Sequence, residues 1–562
     1  MKKKNARAAA RREPSQKSRP EGRSARSKGR LTPPAEWITA IVLTGLIIGF
    51  HVVFLTHAGG LWRDEVQIFN ISTAPTFASQ WQLNEHDTFP LLWQFTLRAW
   101  KLLGLTGSDF GIRFLGFLVG LAILGMLWYT SAQFGAGPPL AALVLFGMSP
   151  VAIIYGDSVR GYGFGIVWLL FMTARLWKMF REPTAWNVGW AALAVLLAVQ
   201  SFYFSVVFFA AIWMVATGML LYRRDWRTAS ALTGIGVLAA VSMTPYFDVL
   251  RRQLKWHDFL HDNVSVSFFL SILAQATDTA GKWFHWIWAA LLILTVGFMA
   301  LRALRSESNR DRERMTFVVG MAVAGTILFF AFLLWRHQAT QIWYYLAIMA
   351  LWAVVMDIGL SRLVGKNGPG RLARLGLVGL IAALTIGPAW RSTRARMTNA
   401  DGVARQLEEK AGRDDLILVT PWWPGVTFAR YYQGQTPWTT MPDLGSLTVQ
   451  RFDLFREKLF DPQPIQPVLD RVAKTLQGGH RVWIVGGLQF PKPGEQPGTA
   501  PPPPVGPLAQ EPYLTVWSRQ AGYFIQSHVT KAEVVQLPDA GPVSGYENLG
   551  VIMVEGWRET AG

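Results

Sequence analysis

The sequence predicts a polytopic α-helical membrane protein with about eleven transmembrane helices and a C-terminal extracytoplasmic α/β domain. Of its 562 residues, 51% are hydrophobic and only 16% are charged, and the mean hydropathy is +0.23. A soluble protein of this length would need more charge on its surface. Apolar runs long enough to cross a bilayer recur along the chain. They begin near Trp37, Phe114, Pro138, Gly161, Trp186, Ser205, Thr228, Trp283, Thr316, Ile342 and Leu372.

The N-terminal segment, residues 1–35, is strongly basic and has no apolar period. It contains 12 Lys or Arg against two Glu, which accounts for +10 of the net charge of +18. We expect a disordered cytoplasmic tail near anionic lipid headgroups, and not a nucleic-acid-binding segment. Short loops on the same side as this tail carry 15 Lys or Arg, whereas those on the other side carry six. The positive-inside rule therefore places the N-terminus in the cytoplasm and the C-terminus outside.

Residues 36–390 form the predicted transmembrane module, and its longest outer loop spans residues 58–112. Within that loop, Phe89–Gly104 places apolar side chains on one helical face and Arg98 and Lys101 on the other. This pattern is typical of a helix that lies on the membrane surface. The chain has no Cys, which excludes disulfides, thiolate metal sites and a cysteine nucleophile.

The C-terminal region, residues 391–562, alternates helix and strand patterns. That alternation indicates a small soluble α/β domain with a parallel sheet. A Pro-rich stretch at residues 491–507 is expected to be a polyproline-like, poorly ordered insertion. The predicted helices are Val403–Ala411, Thr427–Tyr432 and Val468–Leu476, and the predicted strands are Leu416–Thr420, Val482–Val485 and Val551–Val554.

Three polar clusters lie in loops that this topology places outside the membrane. They are Trp62–Glu65, which contains two adjacent acids, Asn84–Asp87 and Asp157–Tyr162. Neighbouring helix positions are about 100° apart, so the two carboxylates of the first cluster would not converge on one atom. The structural alternatives are acids at the positive end of a helix in the first cluster and an i, i+3 ion pair between Asp157 and Arg160 in the third. The position of all three on one side of the membrane favours a shared site.

The order of these features resembles that of the GT-C glycosyltransferases, in the branch of protein O-mannosyltransferases and lipid A aminoarabinose transferases. The resemblance covers residues 37–180. It consists of a first span, Trp-x-Asp-Glu, a polar cluster leading into Pro-Leu, Arg113 at the start of the second span, Ser149-Pro150 and an Arg-x-Tyr turn. Two positions depart from the family pattern. Thr88-Phe89-Pro90-Leu91 stands where the family often has His-Pro-Pro-Leu or Lys-Pro-Pro-Leu, and Ser158 stands where an acid is common.

This resemblance implies an integral-membrane enzyme that moves a hexosyl or pentosyl group from a polyprenyl-phosphate donor to a hydroxyl of a protein, lipid or glycan. The reaction would take place on the extracytoplasmic face of a bacterial inner membrane. By matching position, Asp64 would be the essential acid of the first loop, with Glu65 beside it as a second catalytic candidate. Arg160 and Tyr162 match the Arg-x-Tyr turn, and His86 and Asp87 approximate the polar partner.

The residue types suit that chemistry. An acceptor hydroxyl is a poor nucleophile near neutral pH, so a carboxylate general base, here Asp64, would contribute roughly 10²–10⁴-fold. Direct attack on the anomeric carbon predicts inversion without an enzyme nucleophile. The phosphate leaving group needs positive charge nearby. The candidates are Arg63, His86, Arg160 and Arg336, together with a divalent cation (Mg²⁺ or Mn²⁺) held by Asp64 or Asp157, and no other cofactor is expected.

Two other functions remain open from the sequence. A transporter or flippase of a lipid-linked sugar would also fit the predicted spans, but it usually carries ionisable groups near the bilayer midplane and inverted repeats. Here the charges concentrate at span ends and in outer loops, and no repeat is visible. A noncatalytic envelope assembly factor would leave the ordered outer motifs unexplained.

Some further residue groups have both a functional and a structural interpretation. Arg336, at the outer end of a span, could bind a lipid phosphate or anchor the interface. His257 and His261 have the i, i+4 spacing of metal ligands on a helix, with a polar loop face as the alternative. Trp422-Trp423 and Arg430–Tyr432 could stack on a sugar or pack the domain core.

Overall fold

The computed structural model describes residues 34–257, 264–337, 339–364, 368–445, 447–492, 494–504, 510–537 and 541–559. The basic tail predicted over residues 1–35 therefore lies almost entirely outside the described residues. His261 also lies outside them, and with it the predicted His257 and His261 pair.

Helices dominate the part of the chain before residue 394. They are α1 (Pro34–His57), α2 (Arg63–Ser72), α3 (Phe77–Leu83), α4 (Leu91–Leu102), α5 (Asp109–Phe134), α6 (Leu140–Ala142), α7 (Pro150–Gly156), α8 (Gly161–Arg181), α9 (Ala185–Val199), α10 (Phe204–Tyr222), α11 (Trp226–Met243), α12 (Phe247–His257), α13 (Val266–Thr277), α14 (His285–Arg305), α15 (Asn309–Arg336), α16 (Leu346–Leu363) and α17 (Gly368–Thr393). Within the described residues, nine helical segments are long and apolar enough to cross a membrane. The protein is a polytopic α-helical membrane protein, as predicted.

The predicted count of about eleven spans is not confirmed. The run that begins near Pro138 is not one helix, since it consists of α6, a π-helical turn at Leu143–Gly147 and α7. Pro150 begins α7, and a proline has no N–H to donate to a preceding turn. The run that begins near Trp186 forms α9, whose 15 residues extend about 22 Å, less than the roughly 30 Å of a hydrocarbon core.

α16 lies at the centre of the helical bundle. Every residue from Leu346 to Leu360 is buried, and the helix packs against α8, α14 and α15. Asp357 of α16 accepts a hydrogen bond from the Ser131 hydroxyl of α5 (3.0 Å) and pairs with Arg374 of α17 (3.1 Å). One buried carboxylate therefore joins three helices.

The C-terminal region contains helices and a small mixed sheet. The helices are α18 (Ala400–Lys410), α19 (Gly425–Tyr431), α20 (Phe452–Lys458), α21 (Gln466–Gln477) and α22 (Glu511–His528), and the strands are β1 (Leu416–Thr420), β2 (Trp438–Thr440), β3 (Val482–Gly486), β4 (Val529–Val534) and β5 (Gly550–Trp557). The three predicted strands correspond to β1, β3 and β5.

The strand order is β2-β1-β3-β5-β4. β1 is parallel to both β2 and β3, whereas β5 is antiparallel to β3 and β4. The prediction of a parallel sheet is therefore correct for the first three strands and wrong for β4 and β5. β4 is an edge strand whose side chains after Val529 are all exposed, so no buried apolar run marks it in the sequence.

The C-terminal region rests on the first outer loop. Asp109, the first residue of α5, accepts hydrogen bonds from Nη2 of Arg430 (2.7 Å) and from the hydroxyl of Tyr431 (2.6 Å). The Tyr431 hydroxyl also accepts from the backbone N–H of Leu61 at 2.5 Å. Arg430 and Tyr431, which the sequence left open as a sugar platform, therefore serve to dock the two parts of the chain.

Candidate active site

Glu65 forms a buried ion pair at the start of α2. Its side chain is fully buried, and its two oxygens accept hydrogen bonds from Nη1 (2.9 Å) and Nη2 (2.8 Å) of Arg113. Oε1 also accepts from the backbone N–H of Val159 at 2.9 Å. Arg113 in turn donates to the carbonyl oxygens of Gly59 and Gly60. Glu65 therefore ties α2 to α5 and to the loop before α8, an arrangement that fits positioning better than catalysis.

Asp64, the neighbouring acid, is turned toward the C-terminal region. Its side chain is 16% exposed, and its Oδ1 accepts a hydrogen bond from the side-chain amide of Gln450 at 2.9 Å. Nε of Arg63 lies 3.8 Å from the same oxygen. The two adjacent carboxylates thus diverge, as their helix spacing predicts, and Asp64 is the accessible one of the two.

Arg160 and Asp87 form a second buried pair beside Asp64. Nη1 of Arg160 lies 3.2 Å from Oδ1 of Asp87 and 3.4 Å from the backbone carbonyl oxygen of Asp64, and Nη2 lies 3.4 Å from the Thr88 hydroxyl. Gln94 donates to the other oxygen of Asp87 at 2.9 Å. Burial raises the pKa of Asp87, and the guanidinium of Arg160 offsets part of that rise. A perturbed carboxyl beside a fixed cation is typical of functional sites.

The three polar clusters of the outer loops are therefore in direct contact. The backbone N–H of Val159 reaches Glu65, and the side chain of Arg160 reaches Asp87. The ion pair between Asp157 and Arg160 that the sequence offered as a structural alternative does not form. One surface consequently contains an accessible carboxylate, a buried guanidinium and a carboxyl of raised pKa.

Asp157 pairs with His51 of α1. Nδ1 of His51 lies 2.7 Å from Oδ2 of Asp157, and both side chains are buried. Across the stretches of chain that the structure describes, no group of three or more His, Asp or Glu side chains could hold a metal ion. The divalent cation predicted at Asp64 or Asp157 is therefore not confirmed, and the carboxylate of Asp157 is paired with His51. The side chains of Arg63 and Arg160 supply positive charge near Asp64 and Asp87.

Arg63 and His86, the other predicted phosphate ligands of the outer loop, lie beside the site. Nη1 of Arg63 donates to the carbonyl oxygen of Tyr546 at 3.0 Å and lies 3.5 Å from Oε2 of Glu547. Arg63 therefore binds the C-terminal region through a hydrogen bond and an ion pair. Burial lowers the pKa of His86, which favours the neutral imidazole and weakens it as a partner for phosphate.

A large apolar cavity adjoins Arg160. It has a volume of about 1260 Å³ and lies between α10, α11 and α15. Thr88 and Tyr162 belong to its lining, and both contact the guanidinium of Arg160. Arg336, at the end of α15, also lines it. The remaining walls are mostly apolar, including Phe202, Phe204, Phe209, Trp213, Phe332 and Trp335.

The sequence does not indicate Gln450 or Glu547 as residues of this site, and it indicates Arg113 only by its place in the motif order. An arginine at the start of an apolar span requires an acidic or hydrogen-bonding partner, and this rule indicates that Arg113 is paired. Gln450 lies 386 positions from Asp64, and no pattern in a single sequence joins residues that far apart. Glu547 follows no motif either.

No protein-family model matches the sequence, and no curated protein matches it. Among solved structures, ArnT from Cupriavidus metallidurans bound to undecaprenyl phosphate is 16% identical, with 80% of this chain and 92% of that chain covered and a TM-score of 0.48. The oligosaccharyltransferase AglB from Archaeoglobus fulgidus, in complex with an inhibitory peptide and a dolichol-phosphate, is 11% identical, with 80% and 69% covered and a TM-score of 0.48. Arabinofuranosyltransferase AftD from Mycobacteria is 15% identical, with 94% and 42% covered and a TM-score of 0.42. All three are GT-C membrane glycosyltransferases.

Proposed function

We propose that this chain is a membrane glycosyltransferase that moves a sugar from a polyprenyl-phosphate donor to a hydroxyl acceptor, with Asp64 as general base. The observation that carries the proposal is the junction between the apolar cavity and the polar cluster, since Thr88 and Tyr162 belong to both. A polyprenyl phosphate is an apolar chain with one anionic end. The cavity suits the apolar chain, and Arg160, which adjoins the cavity, suits the anionic end.

The apolar chain of the donor would lie between α10, α11 and α15. The isoprenoid already lies among lipid chains in the bilayer, so the cavity would bind it through van der Waals packing and not through transfer from water. Arg336 and Arg251 also line this space. Either can meet a headgroup at the mouth of the cavity, as the sequence suggested for Arg336.

The phosphate of the donor would lie at Arg160. Among the described residues, none accepts a hydrogen bond from the buried Nε of this arginine. A buried donor without an acceptor is costly, and a phosphate oxygen would supply the acceptor. The pair with Asp87 fixes the guanidinium plane beforehand, so binding needs little reorganisation.

The reaction at this site is a displacement at the anomeric carbon. The acceptor hydroxyl oxygen forms the new bond to that carbon, Asp64 takes the hydroxyl proton, and the bond from the carbon to the phosphate oxygen breaks. The electron pair leaves with the phosphate, whose charge Arg160 stabilises. No covalent intermediate on the enzyme is needed, so the configuration at the anomeric carbon inverts. Glu65 and Arg113 hold the start of α2 and thereby the direction of Asp64.

We place this site on the extracytoplasmic face of a bacterial inner membrane, with the N-terminus inside. The charge bias of the loops supports this orientation. Because Gln450 of the C-terminal region donates to Asp64, the C-terminal region and the catalytic acid lie on the same side in any orientation. The donor sugar is a hexose or a pentose.

Lipid binding provides a direct test. The protein in lipid nanodiscs is incubated with undecaprenyl phosphate, and native mass spectrometry measures the lipid that stays bound. We expect the wild type to retain the lipid and two variants to retain it at least tenfold more weakly. Ala210→Trp fills the cavity. Arg160→Met combined with Asp87→Asn removes both charges of the buried pair, so that neither charge is left buried without its partner. Leu304→Trp, at a position that is 84% exposed, is the control.

Equal retention by all four proteins would contradict the proposal. A protein that carries an intact lipid-linked sugar across a vesicle bilayer, without transferring it, would instead support the transporter alternative. Transfer and transport are distinguished by mass spectrometry, because transfer of the sugar changes the mass of the lipid and transport does not.

A further inference from the structure

The C-terminal region contains a second cavity, separate from the one between the membrane helices. Its volume is about 340 Å³, within the range of small-ligand sites. It lies at the carboxyl ends of β1 and β3, where Thr420 and Gly487 line it and Thr420 pairs with Gly486 in the sheet. A side chain at position 486 would place its Cβ 2.0 Å from the Thr420 carbonyl oxygen, so the close approach of the two strand ends requires glycine.

This position is the switch point of the sheet. From β1 the chain continues to β2 on one side, whereas β3 lies on the other side of β1. The loops that leave β1 and β3 therefore diverge and leave a crevice between them. In open α/β sheets, ligands bind in the crevice outside the carboxyl ends of the strands at such a point.

The lining combines an aromatic side chain with hydrogen-bonding groups, one of which is the carboxylate of Glu511. Trp423 is half-buried and lines the cavity, whereas its neighbour Trp422 is fully buried against Phe452 and Phe455 and packs the core. The polar part of the lining comes from α22 and from the loop after β3. It consists of Glu511, Thr515, Ser518 and Gln489, and Thr420 at the end of β1 also lines the cavity.

We infer that this cavity binds a saccharide unit. A sugar ring has an apolar C–H face, which an indole can cover, and a rim of hydroxyls, which hydroxyl, amide and carboxylate groups can bind. Arginine and lysine do not line the cavity within the described residues, and the carboxylate of Glu511 disfavours a phosphate-bearing ligand. The chemistry therefore selects a neutral or amino sugar over a nucleotide.

The loop after β2 connects this cavity with the candidate active site. Met441, at the start of the loop, lines the cavity, and Gln450, further along it, donates to Asp64. If the proposed function holds, the acceptor is a glycan. The C-terminal region would bind one of its sugar units, while another unit presents its hydroxyl to Asp64. The cavity would then determine which acceptor is used.

Saturation-transfer difference NMR tests this inference. The full chain is placed in lipid nanodiscs free of glycoside detergents, and the probes are the methyl glycosides of mannose, galactose, glucose, arabinose and N-acetylglucosamine. We expect at least one probe to receive saturation from the wild type. Trp423→Ala should weaken that binding at least tenfold, and Thr515→Val, which removes a hydroxyl but keeps the side-chain shape, should weaken it severalfold.

Two controls locate the signal. Trp186→Ala, at a tryptophan that is 71% exposed on α9, should leave the signal unchanged. Asp64→Asn should also leave it unchanged, so a failure of the proposed catalysis does not affect this readout. Absence of a signal from every probe, or a signal that persists in both Trp423→Ala and Thr515→Val, would overturn the inference.

Discussion

The side-chain amide of Gln450 donates a hydrogen bond to Oδ1 of Asp64 at 2.9 Å. Gln450 is buried, and its backbone N–H donates to Oε1 of Gln67 at 2.8 Å. Asn70 of the same helix donates to the carbonyl oxygen of Thr448 at 2.8 Å. The loop after β2 is thus held along α2, and the C-terminal region takes part in the site by fixing the direction of the acid.

Replacement of Gln450 should reduce catalysis and leave donor binding largely intact. We expect Gln450→Ala to lower kcat roughly tenfold with little change in KM, because Asp64 loses the donor that orients it. Gln450→Glu should lower kcat further, since a second carboxylate would face Asp64. The measurement is the steady-state consumption of the polyprenyl-phosphate sugar. Gln477→Ala, at an exposed position at the end of α21, is the matched control, and equal kcat values for the two alanine variants would contradict this role.

The pair of Glu65 and Arg113 should dominate the stability of the outer loop. Arg113→Met leaves a fully buried carboxylate without its cation, which costs about 3–5 kcal/mol. Arg223→Met breaks a pair whose side chains are 30% and 29% exposed, and this should cost at most about 1 kcal/mol. Thermal unfolding in nanodiscs compares the two. Similar decreases in unfolding temperature would show that Glu65 is not buried as described.

Activity should depend more on the planar guanidinium geometry of Arg160 than on its positive charge. Arg160→Lys keeps a cation opposite Asp87 but cannot reach Asp87, Thr88 and a phosphate together. We expect kcat/KM to fall roughly 10²–10³-fold, with an unfolding temperature close to that of the wild type. Arg252→Lys, in a pair with Glu85 where the arginine is 42% exposed, serves as the control and should stay near wild-type activity. An Arg160→Lys enzyme of full activity would contradict the requirement for a planar guanidinium at this position.

Glu547 should make stability depend on pH. Burial raises its pKa to about 7, and Arg63 offsets only part of that rise. In the unfolded chain the same carboxyl titrates near its ordinary value of 4.5. Between these values the folded protein holds a proton that the unfolded chain has lost, so the free energy of unfolding falls as pH rises from about 4.5 to 7.

Glu547→Gln should remove this dependence. The unfolding temperature of the variant should fall less than that of the wild type between pH 5 and pH 7. Glu533→Gln, at a side chain that is 61% exposed, should follow the wild type. Parallel curves for the wild type and Glu547→Gln would show that this carboxyl does not titrate in the folded protein.

The membrane class and much of the C-terminal region could be predicted because long apolar runs and buried strands leave local patterns. β1 has the predicted bounds, Leu416–Thr420. The edge strand β4 and the three-residue β2 bury too little apolar surface to leave such a pattern. The predicted span count is not confirmed at α9 and at α6–α7, where apolar composition does not reveal helix length.

The site could be predicted only in part, for a different reason. Loop position and residue type indicated Asp64, Asp87 and Arg160, and the structure brings them together. The partners of these residues come from distant parts of the chain: Gln450 for Asp64 and, in the same way, His51 for Asp157. A single sequence contains no record of such long-range contacts, so these partners could not be predicted from it.

The most direct test of the account concerns Asp64 in cells. Polyprenyl-phosphate sugars and envelope glycans are compared by mass spectrometry in wild-type and Asp64→Asn cells with matched protein levels in the membrane. We expect one polyprenyl-phosphate sugar to accumulate and one glycan to lose that sugar, because the carboxamide cannot accept the hydroxyl proton. Unchanged pools of both would contradict the role of Asp64 as general base and with it the proposed transferase.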